Sequence, residues 1–225
     1  MKYSKLFLVF VLTAMSLGFR LMDSSKHWEI SSSDPYLWIK PCDRSSTFES
    51  NSVHLGDSLF DRNNINITSA LQSIADNVNN IYGSYLRLEI YPEDPSNPPA
   101  NSHFDYNKAN RRTIDICSDS YFLASGMAAW KTDRNSIIGC DISYVKKDLR
   151  DARTFVSVLS HEIGHCLGLH HPQELTHSIM SYFKDTDYYR YQIDDFIGIR
   201  YLYPAHIEGI DQKENNSLGL SCKYK

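Results

Sequence analysis

Few features of this chain are extreme, and the absences narrow its possible functions. No run of one charge is present: 27 acidic and 23 basic side chains leave a net charge of -4 over 225 residues. That balance provides neither a basic face for a nucleic acid nor a polybasic stretch for an anionic membrane, so no nucleic-acid partner is expected. Long apolar runs are also missing. The one candidate, Leu6 to Phe19, falls short of the roughly 20 residues of a comfortable bilayer crossing, so no stable membrane anchor is expected. No internal repeat or low-complexity tract occurs, which excludes solenoids and fibrous arrays. Cysteine is scarce and odd in number: Cys42, Cys117, Cys140, Cys166 and Cys222. At least one thiol is therefore left over or pairs between chains. A core of this size can stand without disulfides.

The N-terminus carries an export signal. Lys2 and Lys5 precede the apolar run, as a basic region precedes the apolar region of a secretory leader, and residues 1–18 are read as that leader. No Cys follows the run to accept a lipid, and no clean A-x-A site marks the cleavage point. The reading implies a secreted, extracellular protein (periplasmic in a bacterium), where disulfides are permitted.

Residues 19–45 form a short polar segment with turn signals at Asp34-Pro35 and Lys40-Pro41; a pro-segment is one reading of it. A catalytic unit over 46–206 follows, then a polar tail over 207–225. One weak strand is expected between Thr47 and Phe60. Leu71, Ile74, Ala75, Val78 and Ile81 recur at helical spacing, predicting a helix over Thr68–Tyr82 capped by Thr68 or Ser69. Tyr85–Tyr91 alternates as a strand, and the Pro- and Asn-rich 92–107 is a surface loop. Further strands are expected over Thr113–Cys117, Ala124–Trp130 and Ile137–Val145. A second helix opens at Asp148 or Asp151 and reaches about Leu167, and a last one covers Ile193–Tyr203 before Pro204. The order predicts an α+β fold: a twisted sheet backed by two helices, with a smaller irregular lobe after it that holds one helix.

The second helix contains His161-Glu-Ile-Gly-His-Cys-Leu-Gly-Leu-His-His171. Residues i and i+4 share a helix face, so His161 and His165 can grip one metal ion while Glu162 reaches a water on it. Ala152, Phe155, Val156, Leu159, Ile163 and Cys166 form the apolar stripe at 100° per residue, and the two histidines lie nearly opposite. Gly168 can end the helix in the left-handed conformation, and Pro172 forbids its continuation. The returning chain then brings a third imidazole: His171 by spacing, with His170 as its rival. Three His ligands leave a fourth position open for water, as at a catalytic zinc. Glu162 is the one acid in the motif, placed to take the water's proton and later return it. His54, His103, His177 and His206 sit at no ligand spacing and are read as surface or structural. Asn66-Ile-Thr68 and Asn215-Asn-Ser217 are glycosylation sequons, relevant in a eukaryotic secretory pathway.

This string resembles the zinc signature of the metzincin metallopeptidases, closest to the serralysin and matrix metalloproteinase catalytic domains. Ser178-Ile-Met180-Ser-Tyr182 is similar to their methionine turn, and Asp194-Asp-Phe-Ile-Gly-Ile-Arg-Tyr-Leu-Tyr203 to their closing helix. The likeness is strong from about Arg112 to Tyr203. It implies a five-stranded twisted mixed sheet with two helices in an N-terminal lobe, and one catalytic zinc held by His161, His165 and His171. Structural calcium is compatible with it. Tyr182, by the same likeness, reaches the zinc and acts in catalysis beside Glu162. The strand Ala124–Trp130 becomes the edge of the cleft, where an extended protein or peptide substrate is bound. Neighbouring strands in this analogy pair Cys117 with Cys140, leaving Cys166 free and Cys42 for Cys222. Unlike serralysins, the chain shows no glycine-rich calcium repeats. The implied activity is a secreted, monomeric zinc endopeptidase hydrolysing internal peptide bonds through a zinc-bound water activated by Glu162. The alternative is a catalytically silent zinc protein that binds peptides or partners, for which Glu162 would have no use.

Overall fold

The computed structural model describes residues 20–21, 26–49, 64–120, 124–134, 136–149, 151–172, 178–181 and 188–205. The leader, Tyr182, Cys222 and the 207–225 tail lie outside them. The main sheet contains β2 (His27–Trp28), β3 (Tyr36–Pro41), β6 (Arg87–Ile90), β7 (Thr113–Ser118), β8 (Gly126–Asp133) and β9 (Ser136–Tyr144). Its spatial order is β6-β3-β7-β9-β8, with the short β2 beside the start of β9. All pairings are parallel except that of β8, which runs antiparallel along β9. The sheet therefore has six strands where five are expected: β2 and β3 join it unannounced, while Thr47–Glu49, within the weak strand expected between Thr47 and Phe60, pairs in a separate two-stranded sheet.

Of the main-sheet strands, sequence reading misses β2 and β3, and β3 is the longer. Leu37, Trp38 and Ile39 are all fully buried, so the segment lacks the alternation of a half-exposed strand. Interior parallel strands read as short continuous apolar runs, and Pro35 and Pro41 disguise this one as a loop. Outside the main sheet, β4 (Thr47–Glu49) pairs with β5 (Asn64–Asn66), and β1 (Arg20–Leu21) pairs antiparallel with β10 (Leu169–His170).

Two long helices, α1 (Ile67–Asn79) and α3 (Ala152–Cys166), contribute to the core; α2 (Tyr106–Ala109) is a single turn, and α4 (Ile193–Leu202) closes the described chain. The cap of α1 is Asn66, not Thr68 or Ser69: its side-chain oxygen accepts the Ser69 N–H at 2.7 Å. Asp151 caps α3 by accepting the Thr154 N–H at 2.8 Å. Every member of the predicted α3 stripe is buried. One register row, Ile39–Ile114–Cys140–Trp130, crosses the sheet on the face that meets α3.

That row also corrects the disulfides. Cys140 sits opposite Ile114, and Cys117 lies three residues further along β7, so it points to the other face. Cys117 instead bonds Cys42, which follows Pro41, the partner of Ile116. Cys140 bonds Cys166, tying the end of α3 to the sheet; Cys166 is not the free thiol. Cys42 is thus taken by Cys117 rather than by Cys222, which lies outside the described residues.

Candidate metal centre

The site begins with α3. His161 and His165 project from successive turns, and the helix ends at Cys166, two residues before Gly168, whose φ is +99°. A side chain at Gly168 would also meet the Lys26 carbonyl oxygen, 2.5 Å from an added Cβ. Glycine is thus required twice, for the left-handed turn and for the close approach. The chain then returns through β10 to His171.

The three imidazoles converge. His171 Nε2 lies 3.0 Å from His161 Nε2 and 3.1 Å from His165 Nε2. Among the described residues this trio is the one group of potential ligands clustered closely enough for a metal. Each of the helix histidines is held by its other nitrogen. Nδ1–H of His161 donates to the Ile179 carbonyl at 2.7 Å, and that of His165 donates to the Leu169 carbonyl at 3.0 Å. Such bonds fix the tautomer and aim the Nε2 lone pairs at one point. Three lone pairs that close repel one another unless a cation lies among them. The His171–His161 and His171–His165 separations are slightly tighter than the ~3.3 Å expected between tetrahedral ligands about 2.0–2.1 Å from zinc, and all three atoms lie within 4.8 Å of one another. The donor set therefore fits zinc.

His170 is turned to another use: its Nδ1 accepts the backbone N–H of His171 at 2.8 Å. Burial, helped by the neighbouring His171 and His170, pushes the His165 pKa down to about 4 against the pull of its bond to Leu169. His171 is lowered too, by burial first and then by His170. These two rings are thus neutral near pH 7, the form that binds a metal. His165 is buried although it stands opposite the core stripe. Trp130 of β8 stands edge-on to its ring and covers it.

Glu162 lies in the same cleft, 8% exposed, between α3 and β8. A Cβ on Gly126 would sit 3.2 Å from its Oε1 and 2.7 Å from Val158 Cγ1, so the glycine leaves the space the carboxylate occupies. Beneath the trio, residues 178–181 form a turn around Met180. The buried carboxylate of Asp195 in α4 accepts the Ser178 hydroxyl at 2.6 Å and the Ile179 N–H at 2.8 Å. Asp195 also accepts the Gln192 N–H at the start of its own helix. The acid thus anchors both the helix and the turn whose carbonyl, at Ile179, holds His161. Gly164 makes room for this turn, since a Cβ there would lie 2.3 Å from Met180 Sδ. The cleft has a volume of about 530 Å³, in the range of ligand-holding sites. Among the described residues, β8 pairs only with β9, which leaves its cleft-side edge open.

Gly126, Gly164 and Trp130 carry no sequence signal of their own roles. A glycine inside a strand or helix hints at a close approach but not at its partner. His103, read as surface or structural, bonds Glu89 at 2.6 Å and stacks on Tyr36, away from the trio.

A helix-borne histidine pair, a third histidine returned past a glycine and a methionine turn below them define a three-histidine centre of the metallopeptidase class. Residues 10–204 match the family model of matrixin, peptidase family M10, and the chain belongs to that family. Its catalytic domain is therefore metzincin-like, of the matrix metalloproteinase kind, and its class is zinc-dependent metallopeptidase. The match extends well upstream of Arg112, where the motifs are sparse. No curated protein matches the chain. Among solved structures, the GM1-bound form of the ECX AB5 holotoxin is similar to it, at 13% identity and a TM-score of 0.49. That likeness covers 90% of this chain and 91% of the other. So remote a likeness carries nothing further about this chain.

Proposed function

We propose that the chain is an exported endopeptidase that hydrolyses internal bonds of proteins at one zinc ion held by His161, His165 and His171. The observation that carries this reading is the meeting of three imidazole nitrogens in a cleft that also holds Glu162 and an open strand edge. When bound, zinc would supply Lewis acidity, lowering the pKa of a water and polarising the scissile carbonyl. Glu162 takes a proton from the attacking water and passes it to the leaving amine. The space beside Gly126 lets its carboxylate stay inside the cleft rather than turn to solvent.

The free edge of β8 offers backbone N–H and C=O groups to an extended peptide, which aligns the scissile bond over the trio without demanding a particular side chain. Ser181 lines the cleft, and Tyr182 is the next residue. We assign Tyr182 the donor role toward the developing oxyanion. Export is supported by the N-terminal signal pattern and by two disulfides among the described residues. No helix of the described residues is long and apolar enough to cross a membrane.

The test is incubation of the purified chain with a denatured protein, with and without a zinc chelator, followed by sequencing of the new ends. Internal cleavage abolished by chelation is expected. Chelator-resistant cleavage, or release of terminal residues alone, contradicts the proposal.

A further inference from the structure

An α-helix leaves its last carbonyls without intrahelical partners. At the end of α3, three successive carbonyls are taken by aromatic donors from distant parts of the chain. Trp28 Nε1 donates to the Cys166 carbonyl at 2.7 Å, and the Tyr203 hydroxyl to the Leu167 carbonyl at 2.8 Å. Trp130 Nε1 donates to the His165 carbonyl at 2.8 Å. Trp28 and Tyr203 are wholly buried in the core. Trp130 differs: it is partly exposed and lines the cleft. Its ring also stands edge-on to the His165 imidazole, with centroids 6.1 Å apart at 87°. It thus grips one residue of α3 at two points, backbone and ring.

The His165 carbonyl has a second donor, the Gly168 N–H at 2.8 Å. Removing the indole bond therefore orphans no buried acceptor, and the cost to folding is small. What disappears is a lateral restraint on His165. We propose that Trp130 is a positioning residue for the metal centre: from the edge strand it fixes the backbone and ring of His165, and so sets the affinity for the metal. The inference rests on the three-histidine reading of the site and not on peptidase activity.

Trp130→Phe keeps an aromatic ring and removes the N–H. Zinc affinity, read by competition with a chromophoric chelator, is expected to fall about 10-fold or more, the scale for losing an outer support of a ligand. The melting temperature of the zinc-free variant is expected to stay within a few degrees of the wild type. Unchanged affinity overturns the proposal. A weakened affinity that merely accompanies a collapse of the zinc-free melting temperature also overturns it, because packing then explains both.

If the variant does not fold, the wild-type chain decides. Trp28 and Trp38 are wholly buried, so the fluorescence that acrylamide quenches belongs to Trp130, the third of the chain's three tryptophans. Stripping zinc is expected to change the intensity of that quenchable component; an unaltered component overturns the proposal. Both readouts report metal binding, so failure to cleave protein would overturn the peptidase reading alone. A wild-type chain that takes up no zinc overturns both.

Discussion

Gly164→Ala sets two effects against each other at one position. Glycine inside a helix costs roughly 0.5–1 kcal/mol relative to alanine, so propensity alone makes the variant more stable. Packing opposes this. The added Cβ would sit 2.3 Å from Met180 Sδ and 3.4 Å from Tyr191 Cε1. Both partners are buried, and the Met180 N–H is held by the Ser178 hydroxyl at 2.9 Å. Overpacking of this kind costs about 1–3 kcal/mol, which leaves a net loss of up to about 2.5 kcal/mol. For a chain of this length that lowers the melting temperature by up to about 10 °C. The displacement also reaches the metal. Pushing Met180 away shifts its neighbour Ile179, whose carbonyl holds His161 at 2.7 Å. Zinc affinity should therefore fall about 10-fold as well. Calorimetry of zinc-loaded and zinc-free protein, with chelator competition, measures both. The opposite result, a variant that melts above the wild type and binds zinc equally well, would mean that Met180 moves freely and helix propensity wins.

The remaining predictions concern the ligands and their protons. His171→Ala should sharply lower zinc content measured by metal analysis, whereas His170→Ala, whose Nδ1 is turned to the backbone, should leave it nearly intact. Tyr182→Phe keeps the ring and removes the hydroxyl. It should lower kcat by about 10²–10³ with zinc content and melting temperature nearly unchanged; a lowered melting temperature with kcat intact assigns the residue to packing. In the zinc-free chain, His165 has a pKa of about 4 folded against an ordinary 6.5 unfolded. The unfolded state binds the extra proton between these values, so this contribution to stability is complete above about pH 6.5 and is lost as pH falls toward 4. Denaturant unfolding of the zinc-free chain across that range should show the decline, and His165→Gln should flatten it.

The parts legible in the sequence are those whose pattern is local. The α3 stripe, a cap narrowed to Asp148 or Asp151, the one-turn spacing of His161 and His165 and the stop at Gly168 each depend on a few neighbouring residues. The same holds for His171, fixed by the short return from that stop. Parts that depend on tertiary neighbours were not legible. Burial of β3 on both faces erased its alternation. The disulfides depended on the facing of Cys117 and Cys140, which pleat parity sets only once the register is known. Gly126 and Trp130 matter because β8 lies across α3, a contact between elements with no local signature. The burial of His165 had the same origin: periodicity placed it off the core, and the edge strand then covered it.

If Glu162 is the acid–base group of a zinc peptidase, removing its carboxylate must spare the metal and stop the chemistry. The most direct test compares wild type with Glu162→Ala, each shown to hold one zinc, in cleavage of a denatured protein. The variant is expected to keep its zinc and fold while cleavage falls by at least about 10²-fold, the scale of general acid–base catalysis. Near-normal cleavage by the zinc-loaded variant would contradict that role, and so would a wild-type chain that holds zinc and cleaves nothing.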